Sequence, residues 1–139
     1  MQRQGLGACN SHHQQGELNG YVPVQVFLIY ANKSPGDILL KEKLDTLAKT
    51  HDNIHVHYVV EKKGMFDFGS PFSTGYVTPE ILEKHCPPPS AGEDNLVLVC
   101  GPPPMMKAIS GDKAPDKSQG ELTGLLAKLG YSAEQVYKF

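Results

Sequence analysis

A cysteine followed by glycine and three prolines is the segment of this sequence best suited to hold a ligand. The run Cys100-Gly101-Pro102-Pro103-Pro104-Met105 follows the apolar residues 96–99. Glycine lets a ligand approach the backbone closely, and the prolines keep the loop in place when the ligand leaves. The N-terminus of the helix expected next favours a negative or polar ligand group. A proline-rich turn that ends a core strand, with Cys100 as a small buried hydrophobe, explains the same residues equally well.

Asp37 is the second candidate for chemistry, because it follows the apolar run of residues 24–31. An acid placed after a strand accepts hydrogen bonds from ribose hydroxyls and repels a 2′-phosphate. The same carboxylate is also suited to open a helix after Pro35-Gly36, where it would satisfy free amides and the helix dipole. Both roles are compatible. No arginine lies nearby to bind a phosphate, although Lys33 offers one positive charge, so the pattern favours a ribose without a 2′-phosphate.

The histidines, the overall charge and the hydropathy argue against a metal site, nucleic-acid binding and a membrane span. His55 and His57 alternate along one predicted strand, but no third ligand accompanies them, so we expect exposed or hydrogen-bonded histidines and no metal site. With 13 basic and 15 acidic residues and Arg3 as the only arginine, the chain is not expected to bind nucleic acid. No apolar window reaches the length of a membrane span, and the N-terminus has no secretory signal or other targeting segment, so we expect a soluble chain.

The elements that must position these residues alternate between strand and helix. Residues 24–31 form a nearly continuous apolar run, residues 54–60 alternate, and residues 96–100 are apolar again, as in strands of a buried sheet. Helical spacing relates the apolar residues between 38 and 48 and those between 122 and 129, and Thr78-Pro79-Glu80 is a typical helix start. This order predicts the α/β class, a parallel sheet with flanking helices.

The carboxyl ends of parallel strands meet at one edge of the sheet, and ligands bind just outside it. We therefore expect Tyr30-Ala31-Asn32, Glu61 and Cys100-Gly101-Pro102 at a common edge. Residues 1–22 are polar and show little periodicity, which predicts an irregular or disordered leader before a domain of residues 23–139. Within the leader, Gly5-Leu6-Gly7 resembles a dinucleotide fingerprint, but residues 1–4 do not supply the strand that such a motif needs.

Several motifs together resemble the NADH-cytochrome b5 reductase family, a group of ferredoxin-NADP reductase-like flavoproteins. Residues 100–105 resemble its Cys-Gly-Pro-Pro-x-Met motif, residues 28–32 with Asp37-Ile38-Leu39-Leu40 its adenosine-binding segment, and residues 75–78 its Gly-Phe-Val-Thr turn. Residues 107–111, 119–124 and 135–139 are similar to fungal mitochondrial members. The resemblance covers about residues 24–139.

The resemblance implies a role for each candidate residue. Cys100 would lie at the site of hydride transfer, with a nicotinamide pocket formed by Gly101, Pro102, Pro103 and Met105. NADH would also contact Tyr30, Ala31, Asn32, Asp37 and Gly75. Phe139 would lie near the flavin, although a hydrophobic residue that finishes the last strand explains it as well.

The sequence departs from the family in two places. It contains neither the flavin-binding β-barrel with its Arg-x-Tyr-Thr motif nor the first strand of the NAD lobe with its Gly-Gly-Thr-Gly-x-x-Pro turn, and loss of that strand would expose an apolar edge. The resemblance therefore implies the NAD-binding part of an oxidoreductase that passes electrons from NADH through FAD to cytochrome b5. FAD would not be bound stably by this truncated chain, which alone would be inactive.

Two other interpretations stay open, a stand-alone nucleotide-binding module and a remnant without function. The resemblance also implies a location at the mitochondrial outer membrane or in the intermembrane space. Oligomeric state does not follow from the sequence.

Overall fold

Six strands form one mixed sheet with helices on both faces. The computed structural model describes residues 6–11, 24–62, 64 and 72–139, with the backbone alone for residues 6–11. The strands within these residues are β1 (Leu6–Ser11), β2 (Gln25–Asn32), β3 (Ile54–Val60), β4 (Ser73–Thr74), β5 (Leu96–Cys100) and β6 (Val136–Lys138). Their order across the sheet is β4-β3-β2-β1-β5-β6. The strands other than β1 all run in the same direction.

Four α-helices flank the sheet in the described residues. They are α1 (Lys41–Thr50), α2 (Pro79–His85), α3 (Pro103–Ile109) and α4 (Gly124–Lys128), and short 3-10 turns occupy Pro35–Asp37, Pro89–Asp94 and Ala133–Gln135. The predicted α/β class is confirmed, and the predicted strands at residues 54–60 and 96–100 match β3 and β5 at both ends. None of the helices in the described residues has the length and apolar content needed to cross a lipid bilayer.

The two faces of the sheet bury separate cores. On one face α1 packs over a cluster that includes Tyr30, Ile38, Tyr58 and Val60. The other face is covered by α2, α3 and α4, and its buried residues are Ile29, Val59, Leu82, Cys86, Val97, Val99, Met106, Ile109, Leu126, Tyr131 and Val136. Alternate residues of β2 and β3 point to opposite faces, as the pattern of residues 54–60 predicts.

Two helix boundaries illustrate how local sequence sets the fold. Thr78 accepts a hydrogen bond from the Ile81 amide at 3.3 Å and Pro79 occupies the first helical position, so the predicted start of α2 is confirmed. The helix expected from residue 38 begins later, at Lys41. Leu40 precedes it in a left-handed conformation (φ 58°), which ends the preceding turn and leaves the Leu40 side chain exposed.

β1 overturns part of the expected irregular leader. Leu6–Ser11 lie in the middle of the sheet, antiparallel to both β2 and β5. The physical reason is that β2 and β5 would otherwise face each other with unpaired amides and carbonyls, and backbone pairing needs no apolar periodicity. β1 thus takes the interior place at which the sequence predicts an exposed edge. The rest of the leader, residues 1–5 and 12–22, lies outside the described residues, and the boundary at residue 23 stays a prediction.

Proline at position 8 tests the interior place of β1. Ala8 pairs with Leu28 on one side and Leu98 on the other, and proline removes the amide proton. We expect Ala8→Pro to lower the free energy of unfolding by about 2 kcal/mol or more, measured by urea denaturation. Ala8→Gly keeps the amide and is the matched control. Equal stability of the proline and glycine variants would contradict the pairing.

His57 and His85 stack between β3 and α2, with ring centroids 3.8 Å apart and planes 14° apart. His57 Nε2 also lies 2.8 Å from the Ser73 hydroxyl. Burial lowers the pKa of His85 to about 4, and the neighbouring His57 and Lys84 act in the same direction. Burial, and then Lys84, lower the pKa of His57 as well. Among the described residues no group of three or more His, Cys, Asp or Glu side chains is arranged to hold a metal.

The histidine stack predicts a loss of stability in mild acid. The unfolded chain binds a proton near pH 6.5, whereas folded His85 resists protonation until its pKa of about 4. The contribution of the stack is therefore complete above about pH 6.5 and is lost as the pH falls toward 4. We expect the free energy of unfolding to fall between pH 7.5 and 5, and to fall less in His85→Phe, which keeps the stack but cannot be protonated. His51→Phe, at an exposed histidine, is the control and should follow the original chain.

Candidate functional site

One row of residues crosses the sheet on the face that carries α1. The register pairs Tyr58 with Tyr30, Tyr30 with Leu6, and Leu6 with Cys100. Phe139 extends the row, because its amide donates to the Val99 carbonyl at 3.0 Å, one residue beyond the last rung of β5 and β6. Paired residues point to the same face of a sheet. The structure therefore brings Tyr30, Cys100 and Phe139 to one face near the carboxyl ends of the parallel strands.

Cys100 presents its thiol to solvent at the end of β5. It is a free cysteine and it is exposed, so it is not the small buried hydrophobe that one interpretation of the sequence predicts. Val97 and Val99 of the same strand are 3% exposed and point into the opposite core. The alternation of β5 thus separates the thiol from the core and leaves it free to meet a ligand.

The loop after Cys100 leads directly into α3, but it does not offer amide donors as expected. Pro103 and Pro104 have no N–H, and the amides of Met105 and Met106 both donate to the Pro102 carbonyl, at 2.9 and 3.0 Å. The expectation that the start of this helix attracts a polar ligand group is therefore wrong for its amides, because its first turn is already satisfied or lacks hydrogens. Three prolines instead make a rigid apolar wall.

The other residues of this loop differ in exposure. Gly101 and Pro102 are half-buried beside Cys100, and Pro103 is exposed. Met105 is half-buried and packs against the core that α3 and α4 cover, so it supports the loop from below. A cavity of about 30 Å³ in this core, lined by Met105, Ile29, Val77 and Leu126 among others, has room for about one water molecule. A larger ligand would have to lie on the open edge above.

Asn32 is the most unusual polar residue at this edge. It ends β2 and is 5% exposed, and neither its Oδ1 nor its Nδ2 has a hydrogen-bond partner among the residues that the structure describes. It pairs with Val60 and shares the face of Tyr30, two residues before it. Leaving a buried amide unsatisfied costs about 1–3 kcal/mol. A donor and an acceptor held together at this cost at a strand end indicate a ligand that completes them.

Asp37 lies in the 3-10 turn that follows β2 and is exposed. Its Oδ2 accepts a hydrogen bond from the Ser34 hydroxyl at 2.7 Å. The α-helix begins only at Lys41, so Asp37 does not cap it, and that interpretation of the residue is wrong. The Ser34 contact orients the carboxylate and leaves its other oxygen available to a ligand.

Gly75 closes the edge beyond β3. Its amide donates to the Val60 carbonyl at 2.8 Å, and its φ of +104° is a conformation that a side chain would strain. Ala31 lies between Tyr30 and Asn32 on the opposite face and is half-buried against the larger core. Its side chain therefore supports the strand rather than the face that Tyr30 and Cys100 share.

Tyr58 is a site neighbour that we did not single out from the sequence. Tyr58 is 5% exposed and begins the row next to Tyr30, and its hydroxyl donates to Asp45 Oδ1 at 2.8 Å. Burial and then the hydrogen bond to Asp45 raise the pKa of Tyr58. Asp45 also pairs with Lys41 at 2.5 Å, so the group ties α1 to the sheet beside Tyr30. The alternation of residues 54–60 placed Tyr58 on this face but carried no signal of Asp45.

Removal of the unsatisfied Asn32 amide should stabilise the fold, whereas removal of a hydrogen-bonded buried amide would destabilise it. Asn32→Leu removes two unpaired polar atoms, so we expect the free energy of unfolding to rise by about 1–2 kcal/mol in urea denaturation. The matched control is Asn53→Leu, because Asn53 Nδ2 donates to the Val24 carbonyl at 2.9 Å and its loss should destabilise. A destabilised Asn32→Leu variant would show that the amide already has a partner.

Comparison with known proteins agrees with this architecture. A family model described as the oxidoreductase NAD-binding domain matches residues 8–111. The chain is 51% identical over 117 residues to NADH-cytochrome b5 reductase 2 of Mycosarcoma maydis, a match that covers 83% of this chain and 32% of the relative. It is 49% identical over 115 residues to an NADH-cytochrome b5 reductase-like protein of Arabidopsis thaliana, covering 83% of this chain and 34% of the relative. The chain thus spans about a third of the length of these relatives.

Solved structures give the same result for the fold. The cytochrome b5 reductase domain of Ulva prolifera nitrate reductase superimposes with a TM-score of 0.64 at 27% identity, over 87% of this chain and 39% of that one. The CS-b5R domains of human Ncb5or, in the NAD+ form, superimpose with a TM-score of 0.57 over 80% of this chain and 27% of that one. At 21% identity, the second likeness concerns the fold alone.

Proposed function

We propose, from the premise that the chain belongs to the oxidoreductase NAD-binding domain family, that it binds NADH as the nucleotide-binding part of a flavin-dependent reductase. The electrons of NADH would pass through FAD to a cytochrome b5-type haem protein. The names of the relatives, NADH-cytochrome b5 reductases at about half identity, support this activity. The resemblance of residues 107–111, 119–124 and 135–139 to fungal mitochondrial members supports a place at the mitochondrial outer membrane or in the intermembrane space.

The observation that carries the proposal is the buried side-chain amide of Asn32, whose donor and acceptor both lack a partner within the described part of the chain. It lies at the carboxyl edge of the sheet, where nucleotides bind in folds of this class. The hydroxyl and phosphate groups of a dinucleotide supply both kinds of hydrogen bond. The residues present at this edge therefore fit NADH.

The neighbouring residues divide between the two halves of the ligand. Asn32, which ends β2, and Asp37, in the turn after it, would hold the adenosine side. There the carboxylate oxygen of Asp37 that Ser34 does not contact would accept a hydrogen bond from a ribose hydroxyl, and the charge would repel a 2′-phosphate. Tyr30 and Gly75 would shape the same side, with Gly75 allowing the closest approach of the backbone. Ala31 would contribute through its backbone, since its side chain packs on the opposite face.

Residues at the end of β5 would hold the nicotinamide side. Bound NADH supplies a hydride, and Cys100 would orient the ring that carries it while Gly101, Pro102 and Pro103 exclude water from one side. Met105 supports this wall from the core. Phe139, exposed in the same row, would meet the flavin or the nicotinamide. The role of Cys100 is contact with the reacting ring, not proton transfer.

FAD would be held by a separate flavin-binding domain. By resemblance, the flavin belongs to a β-barrel distinct from the NAD-binding domain that residues 8–111 match, and the chain spans about a third of the length of its relatives. The chain alone would therefore bind NADH without turning it over. Reduction of a cytochrome would need the flavin part as a partner.

Titration of the purified chain with NADH, followed by fluorescence with and without added FAD, tests this function. We expect saturable binding that weakens about tenfold or more in Asp37→Ala, which loses a charge-assisted hydrogen bond. The same variant should narrow the preference for NADH over NADPH, because the repulsion of a 2′-phosphate is lost.

Cys100→Trp, which fills the open edge, should abolish binding of the nicotinamide half.

Asp52→Ala is the matched control, since Asp52 is also an exposed acid that follows a helix at the opposite end of β3. Its affinity for NADH should equal that of the original chain. A chain that unfolds cooperatively and yet shows no saturable NADH binding would refute the proposal and favour a remnant without function.

A further inference from the structure

Lys138 is a lysine buried in the last strand of the sheet. It is 1% exposed, and its Nζ donates to the backbone carbonyls of Glu121 at 2.7 Å and Asp112 at 3.2 Å. Burial lowers the pKa of Lys138, and the charges of Asp112 and Glu121 oppose the shift. Lysine is almost never this buried without a specific set of partners. In this strand the partners are carbonyls from both ends of one loop.

The same loop holds the backbone of Lys138 through Gln119. The Lys138 amide donates to Gln119 Oε1 at 2.7 Å, and Gln119 Nε2 donates to the Lys138 carbonyl at 3.0 Å. An amide side chain that pairs with both backbone groups reproduces the contacts of a neighbouring strand. β6 is therefore held on one side by β5 and on the other by a single side chain.

Two glycines show that the loop is shaped for this purpose. Gly120 has a φ of +64°, and a Cβ there would lie 2.9 Å from the Ala114 amide nitrogen. Gly111 has a φ of +82°, and a Cβ would lie 2.4 Å from the Thr123 hydroxyl. A side chain at either position would strain the backbone and crowd the chain next to the Asp112 and Glu121 carbonyls, so glycine favours the conformation in which both carbonyls reach one ammonium group.

We infer that Gln119 and Lys138, with the carbonyls of Asp112 and Glu121, form a terminal clamp that positions Phe139 beside Cys100. Phe139 follows Lys138 directly, donates its amide to Val99, and packs its ring edge to face on Tyr137 at 5.0 Å. It is nevertheless 62% exposed, and a strand end with so little burial tends to fray. The clamp fixes the preceding residue on both sides, so the aromatic ring is presented in one place.

This inference rests on the proposed NADH function for its consequence, but not for its geometry. If Phe139 bounds the nicotinamide side of the site, loosening the clamp should weaken the binding of NADH more than that of ADP-ribose, which lacks the nicotinamide. A residue that merely stabilises the fold would weaken both ligands equally. Gln119 and Lys138 are thus positioning residues that act through Phe139.

The test compares Gln119→Ala, Gln119→Glu and Lys138→Met with the original chain. Gln119→Glu keeps the acceptor for the Lys138 amide but sets a carboxylate oxygen against the Lys138 carbonyl, so it breaks the donor half of the clamp by repulsion. Gln119→Ala removes both contacts without adding a charge, and Lys138→Met keeps both Gln119 contacts while it removes the ammonium group. We expect amide hydrogen exchange at Phe139 to speed up about tenfold in Gln119→Ala, with less change at Val97 and Val99. The dissociation constant for NADH should rise several-fold more than that for ADP-ribose.

Lys128→Met, at an exposed lysine of α4, is the matched control for Lys138→Met and should change neither exchange nor binding. Unchanged exchange at Phe139 in Gln119→Ala would overturn the clamp. Faster exchange with an equal loss of both ligands would overturn its positioning role. If the original chain binds neither ligand, the proposed function fails, and the exchange measurement alone decides whether the clamp holds Phe139.

Discussion

The backbone pairing of β1 is the constraint on which the rest of this structure depends. Within the sheet, the strands β4, β3 and β2 form one half and β5 and β6 the other, and hydrogen bonds from Leu6–Ser11 join them. Each half carries part of the candidate site, Asn32 on one and Cys100 on the other. Adjacent strands lie about 4.8 Å apart, so one inserted strand sets a separation of about 10 Å between these parts.

Much of the fold follows from local pattern, and the exceptions have identifiable causes. Residues 54–60 and 96–100 became strands because their apolar residues and flanking turns agree with each other, and α2 begins where threonine and proline predict. The sequence does not predict β1, because its place depends on the unpaired edges of two distant strands, and the composition of a polar segment carries no information about those edges. Such tertiary requirements override local preference in β-structure more readily than in helices.

For the candidate site, the sequence pattern predicts where residues lie along the edge of the sheet but not the contacts that their atoms make. Residue order placed Asn32 and Cys100 at the carboxyl edge, since right-handed crossovers put the ends of parallel strands together. Three features could not be predicted from the pattern. They are the lack of partners for the Asn32 amide among the described residues, the Ser34 contact of Asp37, and the lack of free amides in the first turn of α3. These depend on which atoms meet, and many sequences with the same pattern would differ in them.

The antiparallel direction of β1 has a consequence for the length of ligand that the edge accepts. Leu6 is level with Tyr30 on one side and with Cys100 on the other. A shift of β1 by two residues against β5 alone would keep every side chain on its face but move Cys100 by about 7 Å relative to Tyr30. Such a slip leaves the fold recognisable while changing the span between the two halves of the site. The register of β1 therefore sets the distance between the two halves of the site, and with it the length of the molecule that can contact both.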